Sequence, residues 1–205
     1  MKKIDMKKEL RHLYGASPKE VAVVDVPEMN FLMADGRGNP NTSPAFKDAV
    51  EALYALSYAL KFMIKKGKQA VDFSVMPLEG LWWADDMTVF AADKKEEWKW
   101  TVMIMQPEYV KRTLVNEAVL QVEKKKRLPV LAKVRFDRFC EGLSAQIMHL
   151  GPYSAEGPTV KRLHDFIREN HYNLRGKHHE IYLGDPRRGA SDKMKTIIRQ
   201  PIGAR

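Results

Sequence analysis

The sequence predicts an α+β fold made of two tandem copies of a β-α-β-β module, with a connector helix between them. Residues 193–201 (KMKTIIRQP) resemble residues 99–107 (KWTVMIMQP), and both segments have the composition of a strand. Residues 43–47 and 157–161 also resemble each other, and each opens an apolar periodic segment with a proline, which is typical of a helix start. Together the two similarities predict an internal duplication with pseudo-two-fold symmetry and a central ligand cleft.

The first copy spans about residues 20–107 and follows a polar N-terminal arm of residues 1–19. Ser43 is a plausible N-cap and Pro44 the first helical residue, because apolar residues recur at helical spacing after them. The predicted elements are strand pieces at 21–24 and 30–34, a helix from 44 to about 66, a bent strand over 71–76 and 78–83, and a strand at 98–105.

A connector helix is predicted at about residues 108–127, where apolar residues again recur at helical spacing before a basic run. The second copy spans about residues 134–202 and repeats the order strand, helix, strand, strand. Its predicted elements are a strand at 141–149, a turn at 151–153, a helix at 158–169, a strand at 179–183, a turn at 184–186 and a closing strand at 196–199.

Size and composition favour a single domain over residues 20–205. The chain has 205 residues, of which 44% are hydrophobic and 30% charged, enough for one core. The longest uncharged apolar stretch, 52–60, is shorter than the roughly 20 residues of a membrane helix, and the N-terminal residues lack the core of a signal peptide. We therefore expect a cytoplasmic protein with no membrane partner. The sole cysteine, Cys140, excludes an internal disulfide, and we expect its side chain to be buried.

The net charge of +9 raises the question of nucleic acid. Basic residues concentrate in the N-terminal arm, at 124–127 and in the C-terminal tail, but no helix-turn-helix, zinc finger or RNA-binding aromatic motif accompanies them. Solvated basic surface is therefore the preferred interpretation. The histidines fall at no metal-ligand spacing, and no phosphate-binding loop or nucleophile elbow is present, so we expect no metal site and no cofactor.

A carboxylate and a phenol share one face of the predicted strand 179–183. Strand alternation puts Glu180 and Tyr182 on that face. In the matching strand of the first copy Glu79 aligns with Glu180, and Trp82 and Trp83 follow closely. If the copies pack as inferred, two carboxylates and several rings would meet in the cleft, which suits flat, apolar, cationic or electrophilic molecules. The alternative is that the glutamates lie on the surface and the rings belong to the core.

His149 and Tyr153 flank the turn that follows the strand at 141–149. This turn would lie at the rim of the cleft, so both residues are candidates for contact with a ligand. The alternative gives His149 a place in the core and Tyr153 a place in an ordinary turn.

Three segments resemble the GyrI-like small-molecule-binding domain family, over about residues 20–202. They are residues 148–154 (MHLGPYS), 178–186 (HHEIYLGDP) and 195–201 (KTIIRQP). The resemblance implies tandem SHS2-type modules around a cleft that binds hydrophobic, often cationic drugs. It also implies that a strand glutamate with nearby aromatic residues is the site, here Glu180 and Tyr182.

A finer resemblance concerns the strand 78–83 (LEGLWW) and the inserted connector helix. Both are similar to a stand-alone subgroup whose members hydrolyse the cyclopropane of DNA-alkylating natural products. We hypothesise that in such a reaction Glu180 or Glu79 would deprotonate a water molecule and Tyr182 would hydrogen-bond the developing oxyanion. The planar substrate would stack on Trp82, Trp83 and Tyr153. The alternatives are a non-catalytic multidrug-binding or sequestering protein and a gyrase-inhibitor-like modulator.

Overall fold

The computed structural model describes residues 2–85, 94–184 and 193–204, which form a mixed α/β fold of mostly antiparallel strands and few helices. The helices are α1 (Met6–Glu9), α2 (Arg11–Tyr14), α3 (Pro44–Lys66), α4 (Arg112–Glu123) and α5 (Gly157–Glu169). The strands are β1 (Lys2–Ile4), β2 (Ala22–Val26), β3 (Met29–Arg37), β4 (Val71–Phe73), β5 (Leu78–Trp83), β6 (Lys99–Gln106), β7 (Arg135–Phe139), β8 (Gly142–Leu150), β9 (Tyr172–Leu174), β10 (His178–Tyr182) and β11 (Lys195–Ala204).

The predicted order of elements occurs twice along the chain. It appears as β3-α3-β5-β6 and again as β8-α5-β10-β11, with the short strands β4 and β9 inserted after the helices. Helix α4 lies between the two series, as expected of the connector. The structure confirms the prediction of a mixed fold of helices and a largely antiparallel sheet. The tandem duplication and the SHS2 type of the modules remain predictions. The predicted turn at 184–186 falls mostly outside the described residues.

The residues group into two compact units, each assembled from separate stretches of the chain. The first unit comprises Met1–Glu9, Met29–Met76 and Trp83–Phe139. The second unit comprises Leu10–Glu28, Pro77–Trp82 and Cys140–Arg205.

In the first unit, β3 pairs antiparallel with β6 on one side and with β7 on the other. Ser43 is the predicted N-cap of α3, since its Oγ accepts the backbone N–H of Phe46 at 3.3 Å. Gly36 faces Trp100 across the β3–β6 pair, and a Cβ at position 36 would lie 2.1 Å from the indole ring. The close approach of this large ring therefore requires a glycine there.

In the second unit, five antiparallel strands follow the order β2-β8-β11-β10-β5, and β9 pairs with the end of β11. Helix α5 covers one face of this sheet through a core of aliphatic side chains, because its apolar residues recur at helical spacing. The core residues are Ala145, Ile147, Leu163, Ile167, Ile198 and Ile202.

The N-terminal residues 2–14 contain one short strand and two short helices. Strand β1 pairs in parallel with β4, and Leu13 and Tyr14 of α2 are buried. A few apolar residues among many charged ones were enough to anchor this segment. Cys140 also differs from expectation: it is exposed, because it lies in the short connection between β7 and β8. Within the described residues, no helix has both the length and the apolar character needed to cross a membrane.

Replacing Leu163 of α5 with alanine should destabilise the protein by about 2–5 kcal/mol, because this side chain is fully buried against the sheet and its loss leaves a cavity. Leu120→Ala on α4 is the matched control, because Leu120 is 59% exposed and should change stability by less than about 0.5 kcal/mol. Urea unfolding of both variants measures the difference. Equal effects of the two substitutions would contradict the assigned core.

Candidate functional site

Strands β5 and β10 form the centre of the candidate site in the second unit. Their antiparallel register pairs Gly80 with Glu180 and Glu79 with Ile181. Paired residues share a face of the sheet and neighbours along a strand alternate, so Glu79 and Glu180 lie on opposite faces. The expectation that these two carboxylates meet is therefore wrong. It failed because the strands pair antiparallel and offset by one residue from the alignment that the sequence suggested.

One face carries what we call the Glu180 cluster: Glu180, Tyr182, His178 and Trp82. The Tyr182 hydroxyl donates to Glu180 Oε2 at 2.8 Å, and His178 Nε2 lies 3.2 Å from Glu180 Oε1. The indole N–H of Trp82 donates to the Tyr182 hydroxyl at 3.2 Å. Each carboxylate oxygen of Glu180 thus contacts one polar group of its own strand.

The cluster is mostly buried, but part of the Glu180 side chain is exposed to solvent. The Glu180 side chain is 14% exposed, whereas Trp82 is 3% exposed. The ring of Tyr153, 39% exposed, packs edge-on against the Tyr182 ring at 5.4 Å between centroids. Gly80 gives the indole room, since a Cβ there would lie 2.7 Å from Trp82 Nε1.

Burial and the adjacent Glu180 carboxylate raise the pKa of Tyr182 well above its ordinary value. The phenol therefore keeps its proton at neutral pH. The cluster consequently presents a partly exposed glutamate beside a neutral phenol and an exposed aromatic ring.

The opposite face carries a buried ion network formed by Glu79, Glu141, His179, Arg199 and Tyr14. His179 bridges two carboxylates, with Nε2 3.0 Å from Glu79 Oε2 and Nδ1 2.9 Å from Glu141 Oε1. Arg199 donates from Nη1 to Glu141 Oε2 at 3.2 Å, and the Tyr14 hydroxyl donates to Glu79 Oε1 at 2.7 Å. All five residues are at least 96% buried.

The network tethers helix α2 to the sheet through the backbone as well. Arg199 Nη2 donates to the carbonyl of Leu13 at 2.7 Å, and its Nε donates to Gln146 Oε1 at 2.9 Å. Gln146 in turn donates to the carbonyl of His12 at 2.9 Å. Buried backbone carbonyls at the end of a short helix are thereby satisfied.

Electrostatics within the network hold both histidine nitrogens protonated. Burial alone would lower the pKa of His179, but Glu141 and Glu79 outweigh burial and raise that pKa from 6.5 to about 9. Burial alone would raise the pKa of Glu141, but His179 and Arg199 outweigh it and hold that pKa below its usual range. An imidazolium donates from both nitrogens, which matches its position between two carboxylates.

Comparison with known proteins places the chain in a family. The sequence profile described as "GyrI-like small molecule binding domain" matches residues 19–202. The chain belongs to the GyrI-like family. No curated protein matches its sequence.

Solved structures agree with this GyrI-like assignment. An uncharacterized conserved protein from Listeria innocua has a TM-score of 0.90 and 38% identity, over 98% of this chain and 100% of that one. A hydrolase from Listeria innocua has a TM-score of 0.85 at the same identity and coverage. The EcmrR C-terminal domain, with a TM-score of 0.57, is 12% identical over 91% of this chain and 98% of that one, and so shares the fold alone.

Other residues of the GyrI-like chain that the sequence singled out differ in their surroundings. His149 has both ring nitrogens engaged, one with Thr159 Oγ1 at 3.0 Å and one with the carbonyl of Pro152 at 3.1 Å. A ligand would have to displace one of these contacts to reach either nitrogen. Trp83 is half-buried and, by alternation along β5, its side chain lies on the face opposite Trp82.

Sequence reasoning missed most of the ion network. Tyr14 belongs to the segment predicted as a polar arm, and Glu141 is predicted only as the start of a strand. Arg199 carries a usable signal, because it directly follows Ile197 and Ile198 in a predicted strand, and a charge buried there requires a partner. Which partner it finds depends on strand order and cannot be deduced from spacing.

Stability should fall as the pH rises from about 6.5 to about 9, because folded His179 retains a proton that the unfolded chain has lost. One proton bound only in the folded state gives a slope of about 1.4 kcal/mol per pH unit. Urea unfolding at several pH values measures this slope. His179→Gln should remove the slope, whereas His12→Gln, at an exposed position, should retain it. If stability still falls with pH at the same slope in His179→Gln, His179 does not carry the proton that the folded state retains.

Proposed function

We propose that this GyrI-like protein binds flat hydrophobic, electrophilic small molecules at the Glu180 cluster and hydrolyses cyclopropane-containing genotoxins. The observation that carries the proposal is the partly exposed Glu180 side chain, whose carboxylate is oriented by Tyr182 and His178 beside the exposed ring of Tyr153. The likeness to a hydrolase from Listeria innocua at 38% identity over nearly the whole chain also supports an enzymatic role.

The proposed reaction is the addition of water to a spirocyclopropyl cyclohexadienone. The water oxygen attacks the cyclopropane methylene and forms a C–O bond, while the strained C–C bond breaks and its electron pair moves into the ring. The ring becomes aromatic and the carbonyl oxygen becomes a phenolate. The proton lost by water passes to the Glu180 carboxylate and then to the phenolate, so no oxidant or reductant is needed.

Glu180 is a better candidate for the base than Glu79. Both oxygens of Glu79 lie in the buried network, where they accept from Tyr14 and His179, and the side chain is fully buried. Solvent therefore does not reach the lone pair that remains on each of these oxygens. Glu180 accepts one contact on each oxygen, and each oxygen keeps a lone pair for a water molecule.

Non-catalytic binding is the second candidate function. Its specific support is that Glu180 is fixed by two polar neighbours and bordered by aromatic rings, an arrangement that also suits a counter-ion for a cationic aromatic ligand. A binding protein of this kind would sequester a drug without changing it.

Glu180→Gln should lower turnover of a cyclopropane-bearing alkylating drug by at least about 100-fold while leaving its binding largely intact. The amide keeps the shape of the side chain but cannot accept a proton. Mass spectrometry detects the water adduct, and calorimetric titration measures binding. Glu117→Gln on the exposed surface of α4 is the matched control and should retain full turnover.

Three other results would decide against parts of this proposal. Unchanged drug retained by the wild type at about one molecule per chain would establish the binding function instead. Equal turnover of Glu180→Gln and wild type would remove Glu180 from the mechanism. Absence of both binding and turnover would reject this class of ligand.

A further inference from the structure

A directed chain of hydrogen bonds reaches Glu180 from the interior of the second unit. It runs from Trp82 Nε1 to the Tyr182 hydroxyl at 3.2 Å and from that hydroxyl to Glu180 Oε2 at 2.8 Å. We propose that Tyr182 is a positioning residue that acts through Glu180 and does not hydrogen-bond the developing oxyanion of the substrate. The catalytic consequence rests on the proposed function; the hydrogen-bond chain itself does not.

The direction of the chain follows from what each group can donate. An indole N–H is a donor only, so the Tyr182 oxygen must accept from Trp82. A neutral phenol has a single proton, and the carboxylate of Glu180 at 2.8 Å is an acceptor for it. Because that proton is already engaged with Oε2, it is not available to a substrate oxygen unless the bond to Glu180 breaks.

The groups around this chain of hydrogen bonds keep its donor-to-acceptor direction fixed. Trp82 is buried, and Gly80 beneath it leaves just enough room for the indole, since a Cβ there would lie 2.7 Å from Nε1. Burial and Glu180 raise the pKa of Tyr182 well above its ordinary value, so the phenol remains a donor.

The other titratable groups around Glu180 are His178, which contacts Oε1 at 3.2 Å, Glu156 beside α5, whose charge acts on Tyr182, and His164 of α5, which interacts with His178. All three are retained in the Tyr182→Phe variant, so a change in its pH dependence reports the loss of the Tyr182 hydrogen bond.

The two possible roles of Tyr182 make different predictions for the pH dependence of the reaction. A hydrogen bond from Tyr182 stabilises the charged carboxylate, so losing it lets Glu180 take up a proton at higher pH. Activity would then be lost on the acid side and regained as the pH rises. An oxyanion donor acts on the substrate, so losing it would lower the rate by a similar factor at every pH.

The first test is the pH profile of kcat/KM for Tyr182→Phe with the cyclopropane-bearing drug. We expect its acid limb to lie at higher pH than in the wild type and the two rates to converge at alkaline pH. Trp82→Phe should displace the limb in the same direction by less, because Tyr182 keeps its bond to Glu180. Tyr58→Phe, at an exposed position of α3, is the matched control and should leave the pH profile unchanged. A pH-independent loss in Tyr182→Phe would overturn the proposal.

The second test needs no turnover and so separates this proposal from the proposed function. The ¹⁵N-bound indole proton of Trp82 is identified by NMR from its absence in Trp82→Phe. Its resonance should move as Glu180 is protonated, and this movement should disappear in both Glu180→Gln and Tyr182→Phe while persisting in Tyr58→Phe. If the resonance has the same pH dependence in Glu180→Gln and in the wild type, the proposed chain of hydrogen bonds from Trp82 to Glu180 is wrong, whatever the drug experiment shows.

Discussion

The buried contact between His179 and its two carboxylates is the constraint on which the candidate site depends. Glu79 lies on β5, Glu141 precedes β8 and His179 lies on β10, so one imidazolium connects three parts of the sheet. Together with Arg199, the network balances two negative charges with two positive ones. Removing either kind of partner would leave a buried charge without compensation, which is costly in a protein interior.

This constraint fixes the register of β5 against β10, and the register determines what lies on the other face. With Glu79 held by His179, the neighbouring Gly80 comes opposite Glu180. The absence of a side chain at Gly80 then gives the Trp82 indole its place, and Trp82 reaches Tyr182. A one-residue slip would reverse every side chain of β5 and bring a second buried carboxylate to the side of Glu180. The ion network on one face and the Glu180 cluster on the other therefore both depend on the same pairing of β5 with β10.

The division between the faces also gives distinct physical roles to neighbouring residues. His179 and Glu180 are adjacent in the chain, yet His179 is fully buried among charges while part of the Glu180 side chain is open. Strand β10 (HHEIY) carries a polar side chain at every position except Ile181, which is unusual for a central strand. On one face of β10 the polar side chain of His179 joins the ion network. On the other face the polar side chains are hydrogen-bonded around the Glu180 carboxylate.

The sequence by itself determined the type and approximate bounds of the longer elements, though not the short β1, β7, β9, α1 and α2, and it determined that Glu180 and Tyr182 share one face of their strand. Those features depend on local rules: Ser43 and Pro44 start a helix by capping its first turn, and alternation along 178–182 separates Glu180 from His179. Tertiary structure alone decided that Glu79 faces away from Glu180, that Tyr14 and Arg199 are buried and that both nitrogens of His149 are engaged. These outcomes depend on which strands pair, in what direction and in what register. A one-residue offset between strands distant in sequence reverses the face of every side chain, and no local pattern records that offset.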